Sequence, residues 1–191
     1  QGAAATDAGM TSYHAMFVTG AAKPGMKVGV IGIGGLGQIA ARAAVVKSIE
    51  VYAVDTSPAA RDLAKEIGCT AVYENTSDLA QHNLPLIVDY AGFGVTTAQA
   101  LEAIGFQGTV VVVGMGRLEA TINTRTLILK QAKVVGSNGG TGADIAAVYD
   151  LMATGDLDPL LTIIKFEDID KGLEQLRKGL VKGRLVALVD E

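Results

Sequence analysis

The chain has 191 residues and a formal net charge of −4, with 49% hydrophobic and 19% charged residues. That supplies a core for one large domain or two small ones and excludes a disordered chain, while the lack of a basic stretch argues against a nucleic-acid or anionic-membrane partner. One cysteine and two histidines exclude a disulfide framework, a Cys-rich zinc site and a His-rich metal cage built by this chain alone, and no apolar run reaches the ~20 residues of a membrane-spanning helix.

Along the chain, apolar strands alternate with helical stretches. Lys27 to Ile31 is a short apolar strand, and the alanine-rich run Gly35 to Lys47 is helical, ending in a cation as a helix C-terminus favours. Val51 to Asp55 is the next strand. Pro58 to Gly68 is a helix with Ser57 as N-cap, Pro58 at the first helical position and Gly68 as the stop. Thr70 to Tyr73 is a weak strand, Leu86 to Tyr90 a strong one, and Val95 to Ile104 the helix after it. Thr109 to Val113 is nearly all β-branched, which suits a central parallel strand buried on both faces. Lys133 to Gly136 is strand-like, and Thr141 to Thr154 is helical with a Thr141–Asp144 capping box. Glu167 to Lys178 is a helix with a solvated charged face, and Arg184 to Val189 is a final strand. This order predicts an α/β fold, a doubly wound parallel sheet of Rossmann type; an eight-fold barrel needs ~250 residues. Ligands bind such sheets at the carboxyl ends of the strands, near the switch in strand order.

The 24 glycines are nearly double the roughly 13 that average usage of about 7% would give. Four of them fall within six residues, Gly32-Ile33-Gly34-Gly35-Leu36-Gly37. Gly32, Gly34 and Gly37 match G-x-G-x-x-G, for the tight turn out of the strand, for backbone approach to a pyrophosphate, and for helix–sheet packing. The free N–H groups of the following helix then face the phosphates. Alone the motif is weak, because a strand–helix turn without a ligand can look the same. Its context adds weight: Asp55 closes the next strand, 18 residues after Gly37, where an acid accepts hydrogen bonds from a ribose diol and repels a 2′-phosphate. That reading gives NAD over NADP, with Arg61 near enough to soften the preference; the alternative is that Asp55 is a turn or capping acid. A P-loop would need Lys-Ser/Thr where Gln38-Ile39 stands. The first strand lacks the acid usual in methyltransferases, and no tyrosine is followed four residues later by the lysine of a short-chain dehydrogenase.

Taken together, Thr6-Asp7-Ala8-Gly9-Met10-Thr11-Ser12-Tyr13-His14-Ala15, Lys23-Pro24-Gly25, the glycine loop, Ala64-Lys65-Glu66-Ile67-Gly68, Val113-Gly114, Gly136-Ser137 and Lys182-Gly183-Arg184 resemble the coenzyme-binding part of the medium-chain, zinc-dependent alcohol dehydrogenase family. The resemblance spans essentially the whole chain. It implies an NAD-dependent oxidoreductase that moves hydride between nicotinamide and an alcohol or carbonyl, with zinc in the full-length parent. It also implies a small-molecule alcohol, aldehyde or ketone substrate, and a dimer or tetramer. Residues 1–24 would be the junction from a catalytic domain and the first helix, 25–140 the dinucleotide-binding domain, and 141–191 the C-terminal helices and return strand. Cofactor-binding candidates are Thr11, Gly32, Gly34, Gly35, Leu36, Gly37, Asp55, Ala91, Val113, Ser137 and Arg184. Of these, Thr11 and Leu36 would flank the nicotinamide, Ala91 with Gly92 would lie under the adenosine, Val113 and the 135–137 backbone would meet the carboxamide, and Arg184 would contact the pyrophosphate. A surface ion pair is the alternative for Arg184.

Asp7 matches the position of a third zinc ligand, for the full-length parent only; helix capping is its alternative. The other ligands and the proton relay belong to the upstream domain, so no catalytic residue is assigned here and the chain by itself is expected to be inactive. Ala60 stands where some members have a lysine at the adenosine ribose, and the segment from Tyr73 to Leu86 is short for the family. His14 reads as a locally bonded helix residue, His82 as a surface residue, and Cys69 as a packing residue. Gln1 in place of Met, with no leader, reads as a soluble cytoplasmic piece of a longer protein. A non-catalytic NAD(H)-sensing regulatory module would carry the same glycine loop and Asp55 and stays open as the alternative.

Overall fold

A computed structural model describes residues 1–181 and 183–189. Six parallel strands form the main sheet: β1 Lys27–Ile31, β2 Glu50–Val54, β3 Ala71–Tyr73, β4 Leu86–Asp89, β5 Thr109–Val112 and β6 Lys133–Gly136, in the order β3-β2-β1-β4-β5-β6. The order reverses between β1 and β4, which is the switch point of a doubly wound fold.

The chemistry of each strand follows its place. Val28, Val30, Ile87, Val88, Val110 and Val111 are fully buried because β1, β4 and β5 have neighbours on both edges and helices on both faces. β6, by contrast, is largely exposed and lies at the end of the strand order. Around the sheet lie α2 Gly37–Val46, α3 Pro58–Ile67, α4 Val95–Ala103, α5 Thr124–Leu129, α6 Gly142–Ala153 and α7 Ile169–Arg177. They are preceded by α1 (residues 2–19), whose consecutive turns alternate between α and π geometry. The ends of α3 and α6 form as their sequence dictates. Gly68 adopts φ +94 at the end of α3, and Thr141 and Asp144 satisfy each other's backbone at the start of α6.

Three elements differ from the sequence reading. The short helix α5 lies in a stretch with no pattern long enough to show it. The final strand, β8 Arg184–Leu188, does not join the main sheet; it pairs in parallel with β7 Leu161–Lys165, which the sequence reading leaves out. His82, expected at the surface, is half-buried: it ends the 3₁₀ run Thr76–His82, bonds Tyr73 Oη through Nε2 at 2.7 Å and packs on the Tyr52 ring with centroids 4.1 Å apart. A third apolar cluster, Ala5, Ala8, Ile39, Val148, Met152 and Leu157, seals α1 against α2 and α6.

Candidate functional site

The glycine loop emerges from β1 at the switch point. Gly32 takes φ +87, and a Cβ there would stand 3.1 Å from Ala91, the second residue after β4. Gly37 is packed so closely that a Cβ would lie 1.7 Å from the Gly32 carbonyl oxygen. Gly34 is the opposite: exposed, with nothing within 4 Å of a Cβ built there. Helix α2 has no side-chain N-cap. Among the described residues, the N–H groups of Gly34, Gly35, Leu36 and Gly37 meet no protein acceptor. Orphan donors beside open space form an anion cradle.

Asp55 sits just beyond β2 and braces this loop. Its Oδ2 accepts from the Ile33 N–H and its Oδ1 from the Ser57 N–H, both at 2.8 Å. A carboxylate has about four acceptor positions, so two remain for a diol. The turn-acid and ribose-acceptor readings of Asp55 are thus compatible in one side chain. Two clefts flank it. One, of about 320 Å³, is lined by Gly32, Asp55, Glu74, Asn75, Thr76 and Ala91, among others. The other, of about 370 Å³, is lined by Gly34, Asp55, Ser57, Ala60 and Gly183, among others.

The far wall of the switch point is held by Asp89, which sequence reasoning missed. Fully buried at the end of β4, it accepts from the Ala91 and Gly92 N–H groups and from the Thr96 and Thr97 hydroxyls at 2.8–3.1 Å. The signal was present as an acid closing an apolar strand ahead of a glycine turn and two threonines. Gly92, at φ +61, then passes so close to Gly114 that a Cβ would lie 1.8 Å from its carbonyl oxygen. Val113 is buried behind this crossing, its N–H bonded to the Asp89 carbonyl.

Helix α1 is stapled across the same end of the sheet. Tyr90 Oη donates to the Ser12 carbonyl at 2.8 Å, and burial pushes that phenol upward. The Thr19 hydroxyl donates to Ser137 Oγ at 3.0 Å, while the Ser137 N–H bonds the Val112 carbonyl. His14 Nδ1 lies 2.9 Å from Asp144 Oδ2, which also accepts from the Thr141 N–H and hydroxyl. Burial alone would raise the Asp144 carboxyl; the His14 and Thr141 hydrogen bonds outweigh it and hold it below the usual carboxylate range. Thr11 lies on α1 between these ties, half-buried like Leu36 at the head of α2. Burial pushes the Cys69 thiol up to about 12, which leaves it protonated and a poor nucleophile near neutral pH.

The C-terminal pair of strands closes the loop from the side. The Gln38 side chain, in the first turn of α2 and nearly fully buried, bonds both the N–H and the carbonyl of Leu160. The Arg184 N–H also bonds the Leu160 carbonyl. The Arg184 side chain lies over Gly35, where a Cβ would meet its Cδ at 3.3 Å, and its guanidinium pairs with Asp7. The expected pyrophosphate contact and the expected zinc ligand therefore meet each other. Lys182, which the sequence reading groups with Gly183 and Arg184, lies outside the described residues. Asp7 is 71% exposed. Among the described residues, no three His, Cys, Asp or Glu side chains are grouped to hold a metal ion, and no helix is long and apolar enough to cross a membrane.

Comparison with known proteins agrees with this geometry. The chain is 33% identical over 195 residues to an alcohol dehydrogenase of Geobacillus stearothermophilus, covering 96% of this chain and 56% of that protein. It superposes with a TM-score of 0.89 and 33% identity on the acetophenone reductase of Geotrichum candidum in complex with NAD, covering 96% of this chain and 54% of that one. The alcohol dehydrogenase of the hyperthermophilic archaeon Aeropyrum pernix gives a TM-score of 0.88 at 27% identity, over 96% of this chain and 56% of its own. The chain thus spans about half the length of these relatives. The family profile of the zinc-binding dehydrogenases matches residues 35–154, well over half of the chain. The chain belongs to the zinc-binding dehydrogenase family.

Proposed function

We propose that this chain binds NAD(H) across the β1–β4 switch point, as the coenzyme-binding part of an alcohol dehydrogenase-type oxidoreductase. One observation carries the reading: among the described residues the N–H groups of Gly34, Gly35, Leu36 and Gly37 have no protein acceptor and Gly34 borders open space, with Asp55 bonded to the Ile33 N–H beside them. The loop from Gly32 to Gly37 would hold the pyrophosphate, with the Arg184 guanidinium beside Gly35. Asp55 would accept the adenosine ribose diol, and Ala91 would line the adenine side. Thr11, Leu36, Val113 and Ser137 would border the nicotinamide, with Ser137 tied to α1 through Thr19.

The bound dinucleotide would supply or accept the hydride exchanged with an alcohol or carbonyl carbon. This chain's part is to orient it and to keep water from one of its faces. An alcohol, aldehyde or ketone is the substrate class that the relatives' names support. Zinc belongs to the family, but one exposed carboxylate already paired with Arg184 does not make a four-ligand site. Asp7 is proposed as at most one ligand, completed by residues beyond these. The outer edge of β6 is where we place self-association into a dimer or tetramer, and the cytoplasm is the proposed compartment.

Calorimetric titration tests the reading. NADH is expected to bind this chain weakly, and Asp55→Asn to weaken NADH more than NADPH. Equal loss of both would remove Asp55 from the ribose site, and alcohol oxidation by this chain alone at enzyme-like rates would overturn the assignment of catalysis to residues beyond it. The regulatory alternative, a module that binds NAD(H) without catalysis, gains nothing from the relatives, which are alcohol dehydrogenases and a reductase.

A further inference from the structure

Arg61 on α3 reaches the backbone of Asp55. Its Nη1 donates to the carbonyls of Asp55 and Thr56, both at 2.9 Å, so the guanidinium is clasped beneath the turn that follows β2. Its Nη2 pairs with Glu74 Oε2 at 3.1 Å. Glu74 is the first residue after β3 and lines the 320 Å³ cleft together with Asp55; these two carboxylates are the only charged side chains lining it among the described residues. The Arg61 side chain is 20% exposed and the Glu74 side chain 61%.

Such a half-exposed pair contributes little to stability. Its consequence is electrostatic. An arginine beside the acid that ends β2 is the group that accommodates a 2′-phosphate in folds of this kind. Here Glu74 pairs with its Nη2, and that carboxylate adds a second negative charge to the cleft. Asp55 alone would repel a 2′-phosphate while Arg61 attracted it; Glu74 cancels that attraction.

We infer that Glu74 is a specificity-determining residue: by neutralising Arg61 it excludes dinucleotides that carry a 2′-phosphate and leaves those with a free 2′-hydroxyl. This inference rests on the dinucleotide reading of the site. Selectivity here is a difference of two affinities, and Glu74 acts on the rejected partner.

The test is calorimetric titration of the full chain with NADH and with NADPH. The proteins are wild type, Glu74→Gln, Arg61→Met, and Glu74→Gln combined with Arg61→Met. Glu74→Gln is expected to raise NADPH affinity roughly tenfold, the factor matching about 1.4 kcal/mol, with NADH affinity changed by less than about threefold. The gain is expected to vanish in the combined variant, because the freed cation is gone. An unchanged NADPH-to-NADH ratio in Glu74→Gln, or an equal gain in the combined variant, overturns the role of Glu74 and leaves the binding site intact. Failure of wild type to bind either dinucleotide overturns the site itself and this inference with it. Circular dichroism confirms that each variant is folded, as the exposure of Glu74 leads one to expect.

Discussion

Gly34 and Gly37 stand three residues apart in one loop, and the structure assigns them opposite sensitivities. An alanine Cβ at Gly37 would sit 1.7 Å from the Gly32 carbonyl oxygen, so backbone must move by more than an ångström. That places Gly37→Ala at or above the top of the ~1–3 kcal/mol range for overpacking, against a total stability of roughly 5–15 kcal/mol. For a chain of this size each kcal/mol shifts Tm by about 2–4 °C, so a fall of roughly 6–12 °C is expected, or failure to fold. Gly34→Ala meets nothing within 4 Å, and Gly34 is not among the glycines with positive φ. Removing glycine's unfolded-state entropy there adds about 0.4–1 kcal/mol, so Tm should hold or rise by a few degrees. Yet Gly34→Val should abolish NADH binding, because its side chain fills the space proposed for the pyrophosphate. Thermal melts by circular dichroism read the first effect and calorimetry the second. A Gly34 variant that melts as early as Gly37→Ala would refute the packing argument; NADH bound by Gly34→Val at wild-type affinity would remove the loop from the ligand site.

Two further outcomes follow from buried carboxylates. Asp89→Ala strands two backbone N–H groups and two threonine hydroxyls; at 1–3 kcal/mol for an unsatisfied buried group, a loss of about 3 kcal/mol or more is expected in urea titration, and a loss below about 1 kcal/mol would show that water replaces the carboxylate. Asp144 has its folded pKa depressed, so its contribution is present above the unfolded value near ~3.9 and is lost as pH falls through the folded value. The stability gap between wild type and Asp144→Asn should therefore narrow in chemical denaturation as pH drops below about 4, and a gap constant from pH 6 to 3 would contradict the hydrogen-bonded state assigned to it.

The parts legible in the sequence are those written in short-range chemistry. β-branched runs gave the buried strands, Gly68 and the Thr141–Asp144 pair gave helix ends, and Gly32, Gly34 and Gly37 with Asp55 gave the loop at the β1–β4 switch point. The misses are tertiary. The π turns of α1 depend on hydrogen-bond register, which side-chain pattern does not encode. β7 exists because β8 pairs with it, from a position further along the chain. His82 looked polar and exposed because its ring partner Tyr52 lies on β2, thirty residues earlier in the chain. The Arg184–Asp7 pair joins residues 177 positions apart, and Glu74 acquires meaning only once Arg61 is seen beneath the Asp55 turn.

The two-way grip of Gln38 on Leu160 has a consequence for the order in which the molecule matures. Synthesis runs from the N-terminus at about 5–20 residues per second. All six strands of the main sheet have been made by Gly136. Leu160 and Arg184 emerge only afterwards, so for several seconds on the ribosome the nascent chain owns a glycine loop without its side wall. The side wall of the glycine loop is thus made after the whole main sheet, and a chain ending between Gly136 and Leu160 would carry every strand of that sheet without the wall.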